Sequence, residues 1–92
     1  MLRITVQQQV EPVTLLLEGK LAGPWVDELR AAWSSVRSSI REQRALIVLS
    51  ELSSVDADGR SLLADIHSGG GVLVGSGLLA RALIQEIAEP AS

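Results

Sequence analysis

Ala45-Leu46-Ile47-Val48-Leu49-Ser50-Glu51-Leu52-Ser53-Ser54-Val55-Asp56-Ala57-Asp58-Gly59-Arg60-Ser61-Leu62-Leu63 is the stretch on which the fold of this chain turns. Its first five residues form an unbroken apolar run, too short for a helix and rich in branched side chains. That predicts a central strand covered on both faces. Residues 50–55 read as a polar loop. Asp56 then stands where a helix N-cap belongs, and Asp58 lies in the first turn, facing the positive helix end. Leu62, Leu63 and Ile66 supply the buried side of a helix that runs to Ser68. Gly69-Gly70-Gly71 ends it.

Upstream, Leu2-Arg3-Ile4-Thr5-Val6 alternates apolar with polar, the period of a half-buried strand. Val10-Glu11-Pro12 interrupts the pattern, and residues 13–18 resume it as a more apolar strand. So short a connection predicts antiparallel pairing. The first strand is then a sheet edge, where Arg3 and the glutamines Gln7, Gln8 and Gln9 are expected to blunt edge-to-edge association. Gly23-Pro24 punctuates before a helix over 25–44, with Leu29, Trp33, Val36 and Ile40 as its apolar stripe and Asp27 and Glu28 in its first turn.

Downstream, Val72-Leu73-Val74 predicts another short buried strand. Gly75-Ser76-Gly77 turns the chain into a last helix over 78–88, with Leu79, Leu83 and Ile87 on the buried side and Ser76 as N-cap. The order is β-β-α-β-α-β-α. Alternation after an opening hairpin implies right-handed crossovers, so the expected fold class is α/β. We expect one domain over 1–92, a mixed, mainly parallel four-stranded sheet with its helices mostly on one face.

Composition narrows the function. The chain has 92 residues, 47% of them hydrophobic, and a formal net charge of −3. A chain of this size buries about 60–65% of its unfolded surface, enough for one core. It has no cysteine, which removes disulfides, thiolate nucleophiles and zinc–thiolate sites together, and its single histidine leaves little for a relay. No apolar run approaches the ~20 residues of a membrane span, and no secretory leader is readable, so a cytoplasmic protein without membrane insertion is expected. Mild acidity argues against a nucleic-acid partner, which calls for a basic excess.

Two motifs invite chemical readings that their spacing does not sustain. Gly75-Ser76-Gly77-Leu78-Leu79-Ala80 follows a strand and opens a helix, as dinucleotide-binding turns do. Such a site also needs a following strand and an acidic residue ~20 positions on, and none falls there before Ser92. A tight strand-to-helix turn is the simpler account. Asp56-Ala57-Asp58-Gly59 resembles the opening of a calcium loop, yet counting from Asp56 puts Arg60 fifth, His67 twelfth and the glycine fourth. A phosphotransferase would need a cation beside the carboxylates, and the only lysine, Lys20, lies far upstream, leaving Arg60. We therefore expect no metal, no cofactor and no catalysis, Asp56 serving as a helix cap. His67, within a helix and without an orienting partner, reads as an ordinary boundary residue.

Arg30, Arg37, Arg41 and Arg44 recur along one side of the first helix. They read first as a solvated flank whose stems cover apolar surface, with an acidic partner or anionic headgroups as the alternative. On the second helix, Ala57, Ser61, Ala64, Asp65 and Ser68 lie away from the buried stripe. Most are small, and a flat surface of this kind lets a partner approach closely.

The stretch from Ala45 to Leu63 resembles the strand–loop–helix signature of STAS domains, the anti-sigma factor antagonist family: apolar strand, leucine-serine, a few residues, then D-S-x-G and an apolar helix. The opening hairpin, Leu17-Glu18-Gly19-Lys20-Leu21 and the strand from Gly71 to Val74 fall in matching order. The resemblance implies a STAS-like fold and a non-catalytic protein-interaction module. It places the docking surface at Asp56, Ala57, Asp58, Gly59, Arg60, Ser61, Ala64 and Asp65. Asp56 and Gly59 match the motif. Ala57 falls where regulated members carry the phosphoacceptor serine or threonine, so the phosphorylation switch is lost. Asp58 offers only a fixed charge, well short of the −1.5 to −2 (roughly) that a phosphate brings. The family's closing strand and helix have no counterpart after Pro90. The implied partner is an anti-sigma factor, a serine-kinase-like ATPase. The alternative is an accessory subunit docked on the ATPase of an ABC-type lipid transporter.

Overall fold

The structure, a computed structural model, describes residues 1–9, 12–40 and 45–88, apart from the side chains of residues 39 and 40. Along them run β1 (Leu2–Gln7), β2 (Val13–Leu21), α1 (Trp25–Ile40), β3 (Ala45–Val55), α2 (Ala57–Ser68), β4 (Gly71–Val74) and α3 (Leu78–Ile87). Spatial order follows chain order, β1-β2-β3-β4. β1 pairs antiparallel with β2, as the short connection requires, whereas β2, β3 and β4 run parallel. Each parallel step is bridged by a helix, which is the only economical way to return a chain to the same sheet end.

Strand alternation assigns the two sheet faces. Leu15, Ile47 and Leu73 are in register across β2, β3 and β4 and point into the core. There they join Leu29, Val36, Leu63, Ile66 and Leu83 in one buried cluster, so all three helices bear on the same side. The next register row, Leu16, Val48 and Val74, faces the other way and is only half-buried. This corrects one expectation: the run from Ala45 to Leu49 is covered by helices on a single face. Its second face stays apolar because neighbours in register shield one another laterally.

A second correction concerns residues 50–55, which belong to β3 and not to a loop. Between Leu16↔Val48 and Glu18↔Glu51, and again between Gly19↔Leu52 and Lys20↔Ser54, β3 carries one more residue than β2. Each extra residue is a bulge that shifts the alternation. Ser50 and Glu51 are thereby both exposed while Leu52 is buried, a pattern that reads as no strand at all. β2 likewise continues past Glu18 to Leu21, which is fully buried.

Helix limits also differ in detail. α1 ends at Ile40 among the described residues; Arg41 and Arg44 of the arginine row lie outside them, as does the side chain of Ile40. Arg30 pairs with Asp27 one turn back. Arg37 reaches over the end of α2, where its guanidinium carbon lies 3.6 Å from the place a Cβ on Gly69 would occupy. A cation there faces the negative end of the helix. On α3, Ala80 and Leu83 are buried and Leu79 and Ile87 are half-buried, as the stripe predicts. The N-cap of α3 is Gly77, without a side-chain bond, and not Ser76.

Candidate functional site

The geometry around Asp56 follows from where β3 stops. Val55 is the last strand residue, in register with Leu21 of β2, so Asp56 emerges beside the turn that leads into α1. Its backbone N–H donates to the Leu21 carbonyl at 3.1 Å. One carboxylate oxygen accepts the Gly59 N–H at 2.7 Å, closing the first turn of α2. The other accepts the Gly23 N–H at 3.0 Å, from the loop ahead of α1. Gly23 has φ +58, a conformation that favours glycine, and the turn it makes presents its N–H to the carboxylate. Asp56 is thus an N-cap that also ties together two helix starts, as its predicted capping role requires.

Charge-favouring hydrogen bonds have a titration consequence. The Gly23 N–H first, then the Gly59 N–H, hold the Asp56 carboxyl below the ordinary aspartate value, with partial burial opposing them. Both oxygens are therefore engaged by backbone donors, which suits a structural cap better than a metal ligand. Among the described residues no group of three or more His, Asp or Glu side chains is placed to hold a metal.

The eight predicted docking residues do not share one environment. Ala57, Asp58, Ser61 and Asp65 are exposed, and Asp56 and Ala64 are half-buried. Ala57, Ser61 and Asp65, spaced i, i+4, form a low ridge along the first two and a half turns of α2, with Asp58 and Ala64 beside it. Arg60 is exposed on the flank toward α3, where its Nε meets a Glu86 oxygen at 3.2 Å. Gly59 is different: it is buried, and an added Cβ would lie 2.6 Å from the Leu21 carbonyl oxygen and 2.9 Å from Leu21 Cγ. It lets α2 close onto β2 and offers no surface of its own.

The second strand-to-helix turn lies at the same end of the sheet, since β3 and β4 are parallel. There the Ser76 N–H donates to Ser50 Oγ at 2.9 Å. A backbone donor of the glycine-containing turn is already occupied by the protein's own hydroxyl, in keeping with a structural turn. Leu78, at the start of α3, is 89% exposed. The apolar stripe of α3 drew attention to Leu79, Leu83 and Ile87. Leu78 is adjacent to that stripe but off it, and this was the available signal. His67 is half-buried near the end of α2, and its Nδ1 has no hydrogen-bond partner.

No protein-family profile and no curated protein matches the chain. Among solved structures, the chain is similar to an uncharacterized protein of the DUF3478 family with a SpoIIAA-like fold from Shewanella loihica PV-4. The TM-score is 0.60 at 18% sequence identity, over 95% of this chain and 76% of that one. The fold is therefore SpoIIAA-like, the architecture to which the resemblance with STAS domains pointed.

Proposed function

We propose that this chain is a non-catalytic protein-interaction module of the anti-sigma factor antagonist kind, docking through the exposed ridge of α2. The observation that carries the reading is the pairing of a rigidly capped helix start with small exposed side chains. Asp56 fixes the position of the first turn through Gly23 and Gly59, and Ala57 and Asp58 stand exposed on that turn. A preorganised surface of this kind loses little conformational freedom on docking. Ala57 occupies the position at which the regulated members of the resembled family carry a hydroxyl. A methyl group cannot accept phosphate, so the surface is held in a single, binding-competent state.

The test is affinity capture from the native host, with the partner's class as readout. Recovery of a serine-kinase-like ATPase, lost on Asp58→Arg, is the expected result. Recovery of an ABC ATPase would instead assign the accessory-subunit role. Capture of either that is indifferent to Asp58→Arg would remove α2 from the interface. With the kinase-like partner and ATP, Ala57→Ser should gain a phosphate and lose affinity. A serine variant that stays unmodified would contradict the lost-switch reading.

A further inference from the structure

The edge strand β1 lacks the devices that normally keep a sheet edge to itself. The Lys20 N–H donates to the Met1 carbonyl at 2.8 Å, which makes Met1 and Lys20 a hydrogen-bonded pair of the antiparallel ladder. By alternation, Arg3, Thr5 and Gln7 bond to β2. The N–H and C=O groups of Leu2, Ile4 and Val6 then point away from the sheet. The register from Leu2↔Gly19 to Gln7↔Thr14 is unbroken, so no bulge twists this edge aside, and β1 contains no proline. The opposite edge, β4, has only four residues, itself a form of protection.

We infer that β1 is the contact surface for a second copy of this chain, pairing antiparallel about a two-fold axis through Ile4. Three observations favour a second copy as the occupant. First, the pattern is self-complementary: Leu2 falls opposite the second copy's Val6 and Ile4 opposite Ile4, each pair exchanging both of its backbone bonds. Second, Arg3 then faces Thr5 of the other copy, so no like charges are opposed. Third, the described residues expose just three large hydrophobic side chains, and two of them, Met1 at 82% and Val6 at 37%, flank opposite ends of β1. Two-fold pairing sets Met1 of one copy opposite Gln7 of the other on the sheet face away from the helices, and Val6 opposite Leu2 on the helix face.

Arg3 and the glutamines, expected to blunt this edge, do not block it in such an arrangement. Arg3 and Gln7 project from the face away from the helices and leave the line of outward N–H and C=O groups clear. A strand about 20 Å long on a molecule 20 Å thick buries roughly 400 Å² per copy, about 800 Å² in all. That falls below the usual range for stable complexes, so the dimer is weak and concentration-dependent.

Sedimentation equilibrium from about 10 μM to about 1 mM is the test, spanning the range in which so small an interface associates. The expected result is a rise from the monomer mass of 9.8 kDa toward twice that value. Val6→Pro removes an outward N–H that the monomer does not use. It should keep the circular dichroism spectrum and weaken dimerisation at least tenfold (roughly). Val6→Lys, which retains the N–H but replaces the apolar contact with Leu2 of the other copy by a charged side chain, should act in the same direction and decides the matter if the proline variant unfolds. Val48→Thr, on the half-buried sheet face, should leave the association unchanged. A wild-type chain monomeric throughout would overturn the proposal. So would a dimer that survives both Val6 variants, or one abolished by Val48→Thr.

Discussion

The two strand-to-helix turns that follow β3 and β4 solve one structural problem with different chemistry. At the start of α2 a carboxylate gathers N–H groups from two separate segments, and a buried glycine lets the helix close onto β2. At the start of α3 the N-cap is a glycine without a side-chain bond, and the turn is held by the hydroxyl of Ser50 on β3. The first turn is held by a carboxylate that engages two backbone donors and presents small side chains. The second is held by a single hydroxyl and leaves Leu78 in solvent. Rigidity is thus concentrated where the proposed docking ridge begins, and the neighbouring turn carries fewer constraints.

Removing the close approach at α2 should have the largest effect. Gly59→Ala drives a methyl group into the Leu21 carbonyl, which cannot be relieved by rotating a side chain. Overpacking of this kind costs about 1–3 kcal/mol, to be read as a lower denaturant midpoint with an unchanged slope. Asp56→Ala should come next, because two backbone donors lose their acceptor at once. The same group gives a pH signature. Its folded-state value is depressed, so its stabilisation is fully present above the ordinary aspartate range and drains away as pH falls through the lowered value. Wild type should therefore lose more stability than Asp56→Ala between pH 5 and pH 2 or so. Parallel acid profiles for the two proteins would contradict the cap.

Ser50→Ala tests the other turn and should cost less, about 0.5–1.5 kcal/mol, since it removes one neutral hydrogen bond at an exposed site. Equal losses at Asp56 and Ser50 would erase the contrast between the two turns. The smallest change is expected at Arg60→Ala. Its ion pair with Glu86 is more than half exposed on both sides, and such pairs contribute about 0–1 kcal/mol. A thermal midpoint shifted as far as that of Ser50→Ala would show that the α2–α3 contact depends on this pair.

Much of this architecture was legible because local signals agreed. The hairpin, the parallel strands and the buried stripe of Leu62, Leu63 and Ile66 each followed from period and punctuation, and Asp56 was readable as a cap from its place before that stripe. The failures have a common cause. β3 between Ser50 and Val55 is a strand whose alternation is shifted twice by bulges, so a rule built on period two sees a loop. The bulges depend on pairing with β2, which no local window contains. The bridge from Asp56 to Gly23 is likewise invisible, since it spans 33 positions and uses a backbone donor that any residue except proline possesses. Gly59 matched a motif, yet its reason for being glycine lies in Leu21.

The central claim is that the exposed ridge of α2 is where a partner lands. Its most direct test is amide chemical-shift mapping of the isotopically labelled chain, titrated with the ATPase recovered by capture. The account predicts that the largest perturbations fall on Ala57, Asp58, Ser61 and Asp65. Perturbations centred on β1 or on the sheet face of Leu16, Val48 and Val74, with the α2 resonances unmoved, would contradict it.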